Sequence, residues 1–192
     1  MPHRLRLLAL SLAASTAALA GATQAQAAPA SPSARAAAVT ACPAAAAAPE
    51  SASLDTLEDT VLCLVNRERT SRGLVRLRSN GRLATAATKY SRLMVAEDFF
   101  SHVSPSGSTM SARIKASGYL KGGRSYRFGE NLAWGTGDLG SPVEIVNTWM
   151  HSPGHRANIL QPAYREVGVG VALGAPGRDE GATYTTEFGV KG

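Results

Sequence analysis

Residues 141–160 read Ser-Pro-Val-Glu-Ile-Val-Asn-Thr-Trp-Met-His-Ser-Pro-Gly-His-Arg-Ala-Asn-Ile-Leu. The first four are a helix start, with Ser141 at the N-cap, Pro142 at the first helical position and Glu144 at the third, where it would close a capping box. Ile145, Val146 and Trp149 supply the buried face. Pro153-Gly154 is expected to end this helix, because proline lacks the amide and clashes with the preceding turn. His151 and His155 flank the break at the four-residue spacing of a helical zinc pair, yet the break would separate them. His151 is therefore read as a surface residue at the helix end, where a cation also complements the dipole.

Upstream, Leu54, Leu57, Val61, Leu64 and Val65 recur at three and four residues, the stripe of an amphipathic helix that Gly73 would stop. A second helix is expected from Gly81 to about Asp98, capped by Asn80, with Leu83, Ala87, Tyr90 and Met94 on one face. A third, shorter one should occupy Thr109 to Ser117 and end at Gly118. Downstream the period changes. Val167 to Leu173 and Thr183 to Phe188 read as strands joined by a Gly/Pro/Asp-containing hairpin loop over 174–182, and Asn131 to Trp134 as a third strand. Helices first and strands later argue for an α+β domain, a small antiparallel sheet covered by helices.

The chain has 192 residues, 44% of them apolar and 18% charged, and a formal charge of +6. That suits one folded domain with flanking segments and excludes a highly charged, wholly disordered protein. His3, Arg4 and Arg6, the apolar run Leu7 to Ala20 and Ala25-Gln26-Ala27 together read as a secretory signal peptide over residues 1–27. Cleavage after Ala27 takes away two of the 20 basic residues and none of the 14 acidic ones, leaving +4 and no transmembrane segment. Residues 28–52 are nearly all Ala, Pro and Ser and are expected to form a disordered lead-in, apart from whatever Cys42 holds down. The folded domain is assigned to 53–192. Export places Cys42 and Cys63 in an oxidising setting. Read as a disulfide, the pair would staple the lead-in to the first helix and constrain the unfolded chain by roughly 3 kcal/mol; two unpaired thiols are the alternative.

Three histidines remain after cleavage, His102, His151 and His155, each beside turn-forming residues. Histidine serves as metal ligand and acid/base group because its ordinary pKa is near neutrality. Glu130 sits in Gly129-Glu130-Asn131-Leu132, a carboxylate between a glycine and an amide. Gly135-Thr136-Gly137-Asp138-Leu139-Gly140 fits G-x-G-x-x-G in letters but lacks the β-α-β context of a dinucleotide site. There is no G-x-S-x-G nucleophile elbow. Arg67, Arg69, Arg72, Arg76, Arg78 and Arg82 are read as the solvated face and end of the first helix, and no nucleic-acid motif accompanies them.

Four segments, in this order and spacing, resemble the bacterial form of the secreted CAP superfamily, also called SCP or PR-1-like: residues 99–107, Gly118-Tyr119, residues 129–135 and residues 149–160. The strands at 167–172 and 184–189 fit as well, so the resemblance covers about Leu57 to Gly189. It implies an α-β-α sandwich with a cleft carrying two histidines and acidic residues. His102 is similar to the first cleft histidine, Glu130 to the Gly-Glu-Asn glutamate and His155 to the second histidine. Where many eukaryotic members have a further Glu after the helix Trp, this chain has Ser152, so the tetrad is incomplete. Glu144 is explained as a capping residue without a site.

His102, His155 and Glu130 match the ligand types of a catalytic zinc site, which makes Zn or another divalent cation at the histidine pair a candidate cofactor. Ser104, Asn131 and Asn158 are candidate partners for the imidazoles. The competing reading is a hydrogen-bonded knot that fixes loops between helices and sheet. Three functions follow: a secreted, non-enzymatic binding module whose cleft holds a small ligand, a metal or a cell-wall component; a metal-dependent extracellular hydrolase with Glu130 as base; and a structural exoprotein. The first leads, and whether the chain is an enzyme stays open. The resemblance implies lipid, glycan or cell-wall partners, and the positive charge suits anionic ones.

Overall fold

The structure, a computed structural model, describes residues 31–192. The leader assigned to residues 1–27 and the first three residues of the lead-in lie outside the described residues. The helices are α1 (Pro32–Ala41), α2 (Leu54–Thr70), α3 (Gly81–Ala96), α4 (Met110–Ala116), α5 (Pro142–His151) and α6 (Pro153–Ile159). The strands are β1 (Arg78–Ser79), β2 (Tyr126–Gly135), β3 (Glu166–Ala175) and β4 (Arg178–Lys191). No helix among the described residues is long and apolar enough to cross a membrane.

The strands form one sheet in the order β1-β3-β4-β2, antiparallel except for the short parallel pairing of β1 with β3. Gly168 and Gly170 face α3, and a Cβ on either would fall on the α3 backbone, at Leu83-Ala84 and at Ala87-Thr88 respectively. Ser91 of α3 fastens this contact by donating its hydroxyl to the Gly170 carbonyl, at 2.9 Å. On the opposite face Val167, Val169, Val171, Tyr184 and Phe188 join Leu57, Val61, Val146, Trp149 and Ile159 in the main core. The result is the expected α-β-α sandwich, with α3 and α4 over one face and α2, α5 and α6 over the other.

Local chemistry explains most element ends. Asn80 accepts from the amides of Arg82 and Leu83 and acts as the expected N-cap, while Thr109, expected as the first residue of its helix, caps it by accepting from the Ala112 amide. Gly73 and Gly118 follow α2 and α4 with φ of +73° and +79°, a conformation that glycine adopts without a Cβ penalty.

Several expectations need correction. The lead-in is not disordered over its described part: α1 exploits the helix propensity of alanine, and residues 42–51 are held onto the domain. The Cys42–Cys63 disulfide is formed, with Cα atoms 5.8 Å apart. Thr60 donates to the Pro43 carbonyl and the Val143 amide to that of Ala45. Pro153 does not end helical structure. Ser152 breaks α5 with extended φ/ψ of −98° and 120°, and Pro153 starts α6 as its first residue. The capping box is absent: the Ser141 hydroxyl donates to the Asp138 carbonyl at 2.6 Å, presented by a 3-10 turn at Gly137–Gly140, and Glu144 is buried. Arg69 is not a solvated cation. It is fully buried and donates to the carbonyls of Val75, Ile159, Gln161 and Tyr164, tying α2 to the turns before β1 and β3.

Replacing Gly170 by Ala should destabilise the chain by about 1–3 kcal/mol in chemical denaturation, since an added methyl must push α3 off the sheet. Gly154, with open space around its Cα, is the control: its change to Ala should be neutral or stabilising by up to about 1 kcal/mol.

Candidate functional site

Among the described residues strand β2 is one edge of the sheet, opposite the short β1, and the site is built on it from both helical layers. Two of its outward carbonyls are met by side chains. Trp149 of α5 donates its indole N–H to Leu132 O at 3.0 Å, and Asn158 of α6 donates to Glu130 O at 3.1 Å. The Asn158 amide also donates to Asn131 Oδ1 at 2.9 Å, while Asn131 Nδ2 donates to the backbone carbonyl of His155 at 3.0 Å. These contacts satisfy an edge that would otherwise present unpaired groups. Gly129 is needed for close approach, because a Cβ there would lie 2.6 Å from the Tyr164 hydroxyl and 2.7 Å from Asn158 Oδ1.

The Glu130 side chain points to the α3/α4 face and is only 1% exposed. Its Oε1 lies 2.7 Å from His102 Nδ1, and its Oε2 accepts from Arg113 Nη2 at 2.6 Å. His102 is 56% exposed, so its outer edge is open to solvent. Arg113 of α4 stacks 3.3 Å over the Tyr90 ring and also donates to the carbonyls of Ser108 and His102. Tyr90 donates its hydroxyl to Ser101 O at 2.5 Å. Together Arg113 and Tyr90 hold the 101–108 loop that carries His102.

Glu130 and His102 are thus in direct contact at the edge strand, and His155 is held to the same strand through its backbone carbonyl on Asn131. The Asn131 and Asn158 amides hold backbone, however, and not the imidazoles. Ser104 does not reach a histidine at all: its hydroxyl accepts from the Ser108 amide at 3.0 Å and shapes the loop. His155 Nδ1 is buried and, among the described residues, meets no hydrogen-bond partner. Burial, and then the nearby charge of His102, pushes its pKa below the ordinary histidine value and keeps the ring neutral at physiological pH. His151 is exposed, its Nδ1 2.8 Å from Asn147 O.

Two residues of this site carry no local sequence signal. Arg113 is one. The other is Glu187, which the register pairs directly with Glu130 across β2 and β4. It is fully buried, and neither of its carboxyl oxygens meets a hydrogen-bond donor. Burial and the negative charge of Glu130 push its carboxyl well above the usual range. A carboxylate pair therefore sits on the sheet after all, but its second member comes from β4 and not from the helix position occupied by Ser152. Only alternation along an aligned strand could have shown that Glu187 shares a face with Glu130.

For a metal ion the donor set is thin. Among the described residues no group of three or more His, Cys, Asp and Glu could hold one. Glu130 has both oxygens engaged and does not fit as a third ligand. Of the expected ligands this leaves the outer edge of His102 and the ring of His155.

Because the folded pKa of Glu187 is raised, its contribution to stability is complete below the unfolded carboxyl value and is lost as pH rises through the folded one. Glu187→Gln, which is neutral at every pH, should raise the melting temperature at pH 8 and change it less at pH 5. Thermal scans across that range, showing the wild-type decline and its flattening in the variant, check this.

The model of the cysteine-rich secretory protein (CAP) family matches residues 62–188. The Bacillus subtilis protein YkwD, described as uncharacterized, is 34% identical over 142 residues, 73% of this chain and 49% of YkwD. The chain therefore spans about half the length of that relative. A solved extracellular SCP-domain protein from Bacillus anthracis superposes with a TM-score of 0.55 at 26% identity, covering 71% of this chain and 43% of the other. An outer surface protein from Borrelia burgdorferi gives a TM-score of 0.57 at 20% identity, covering 69% of this chain and 90% of that one, and shares the fold. The edge-strand Gly-Glu-Asn, the two histidines that meet it and the sandwich that carries them fall within the matched span, and the chain belongs to the CAP family.

Proposed function

We propose that this protein is an extracellular, non-enzymatic binding module in which His102 and His155 hold a small polar ligand or a divalent cation at the edge of β2. Glu130 orients His102 and does not act as a base. The observation that carries this reading is the state of the Glu130 carboxylate: it is buried, with one oxygen on His102 and the other on Arg113. A general base needs a free oxygen within reach of the proton it removes, and neither oxygen of Glu130 is free. His102, by contrast, offers an open ring edge and His155 an uncharged ring, the form that accepts a hydrogen bond or a metal. If a divalent cation binds, these two rings would hold it and Glu130 would fix the His102 tautomer from behind. The extracellular setting is supported by the leader-like N-terminus, the disulfide and the extracellular relative from Bacillus anthracis.

Calorimetric titration with Zn²⁺ tests the site. Binding should disappear in the His102→Ala, His155→Ala double variant, and Glu130→Gln should weaken it roughly 10–100-fold while the fold persists. Turnover of a peptide, ester or glycan that Glu130→Gln abolishes at unchanged melting temperature would establish the hydrolase instead. Substitutions that lower stability in a wild-type chain binding nothing would leave only the hydrogen-bonded knot.

A further inference from the structure

Strand register gathers charge in a way that the linear sequence hides. At the end of the sheet where β2 and β3 begin and β4 finishes, Arg78 pairs with Glu166 across β1 and β3, while Arg127 pairs with Val190 across β2 and β4. Arg165 immediately precedes β3, Lys191 is the last residue of β4, and Arg124 lies two residues before β2. Each of the four strands thus has a basic residue at or next to this end. Arg78, Arg124, Arg127 and Arg165 are exposed and Lys191 is half-buried. Adjacent strands lie about 4.8 Å apart, so the row crosses the sheet in roughly 14 Å. The one acidic side chain of the strands here, Glu166, is engaged by the Tyr119 hydroxyl and the Asn80 amide and also faces the charges of Lys191 and Arg78, so it offsets part of the row. The Gly192 carbonyl accepts from the amides of Arg124 and Ser125.

The opposite end of the sheet, about 30 Å away for strands of ten residues, has the reverse sign. Exposed Asp98, Asp138, Asp179, Glu180 and Glu50 surround the β3–β4 hairpin there, against Arg178. Glu50 accepts from the Gly181 amide, and the Asp98 carboxylate abuts Gly177. The domain is therefore electrically polarised along its strands. Such a field attracts an anionic partner and also turns the domain so that its basic end arrives first.

We propose that the basic end of the sheet is a docking surface for a linear, phosphate-bearing polymer outside the cell. Four of the five cations are arginines, whose planar forks match phosphate oxygens in pairs; Arg165 gives its Nη1 to the Pro162 and Tyr164 carbonyls and keeps its other donors. A membrane fits less well: of the exposed large apolar side chains, Val75, Val103, Leu139 and Leu173, only Val75 comes from a segment adjoining this end. The surface is separate from the His102–His155 site and does not depend on what that site binds.

The test is titration of the full chain with long-chain inorganic polyphosphate at several salt concentrations. Wild type should bind at low salt, with affinity falling linearly in log–log form as salt rises. Arg124→Gln, Arg127→Gln, Arg165→Gln should bind at least about tenfold more weakly and reduce the salt slope by about two, at roughly 0.7 per phosphate contact on a single-stranded polyanion. Lys89→Gln, Arg92→Gln, Lys115→Gln removes the same charge from the α3/α4 face and should stay within about twofold of wild type. Equal loss in both triple variants would reduce the effect to net charge and overturn the proposal. So would absence of binding at low salt, or tighter binding to phosphatidylglycerol vesicles or duplex DNA than to polyphosphate.

Discussion

The carboxylate of Glu130 is the constraint around which this domain is arranged. An ionised carboxyl removed from water must be matched by charge and hydrogen bonds. Arg113 from α4 and His102 from the 101–108 loop supply the match. Neither partner is near Glu130 in sequence, so the carboxylate cannot be satisfied until α4, the loop and β2 are all in place. Arg113 in turn lies on Tyr90 of α3, and Tyr90 holds the loop backbone. One buried charge thus couples two helices, a loop and a strand.

The same strand is fastened from its other side. Among the described residues β2 has no strand neighbour on its outer flank, and the indole of Trp149 and the amide of Asn158 take the place that a fifth strand would fill. Edge protection and site construction are therefore one device. The helices that satisfy the edge also deliver His155, and the loop that reaches the carboxylate delivers His102. The His102 ring rests on Glu130 and the His155 backbone on Asn131, so both are anchored to one strand that holds the two layers together.

What could be read from the chain divides along the range of the interactions. Helix starts at Asn80, Thr109 and Pro142 and stops at Gly73 and Gly118 were legible because caps and left-handed turns depend on neighbouring residues alone. The same local logic failed at Ser141, where a 3-10 turn presented a competing carbonyl, and at Pro153, which opens a helix as readily as it closes one. His102, Glu130 and His155 were found through motif resemblance. Their partners were not, because Arg113 and Glu187 become neighbours of Glu130 only after strand pairing and helix packing. Arg69 looked like one more member of a basic run, and only the fold shows that it serves four backbone carbonyls. The two-residue β1 is too short to show any alternation.

The disulfide between the lead-in and α2 also settles where mechanical load would enter the domain. Tension applied through residues before Cys42 passes across the sulfur bridge to Cys63, in the middle of α2, and bypasses the intervening 43–62 stretch. Pulling on the arm would not peel the start of α2 away turn by turn. The force would instead reach a helix already packed against β3 and α5, so that it acts on the packed layers together.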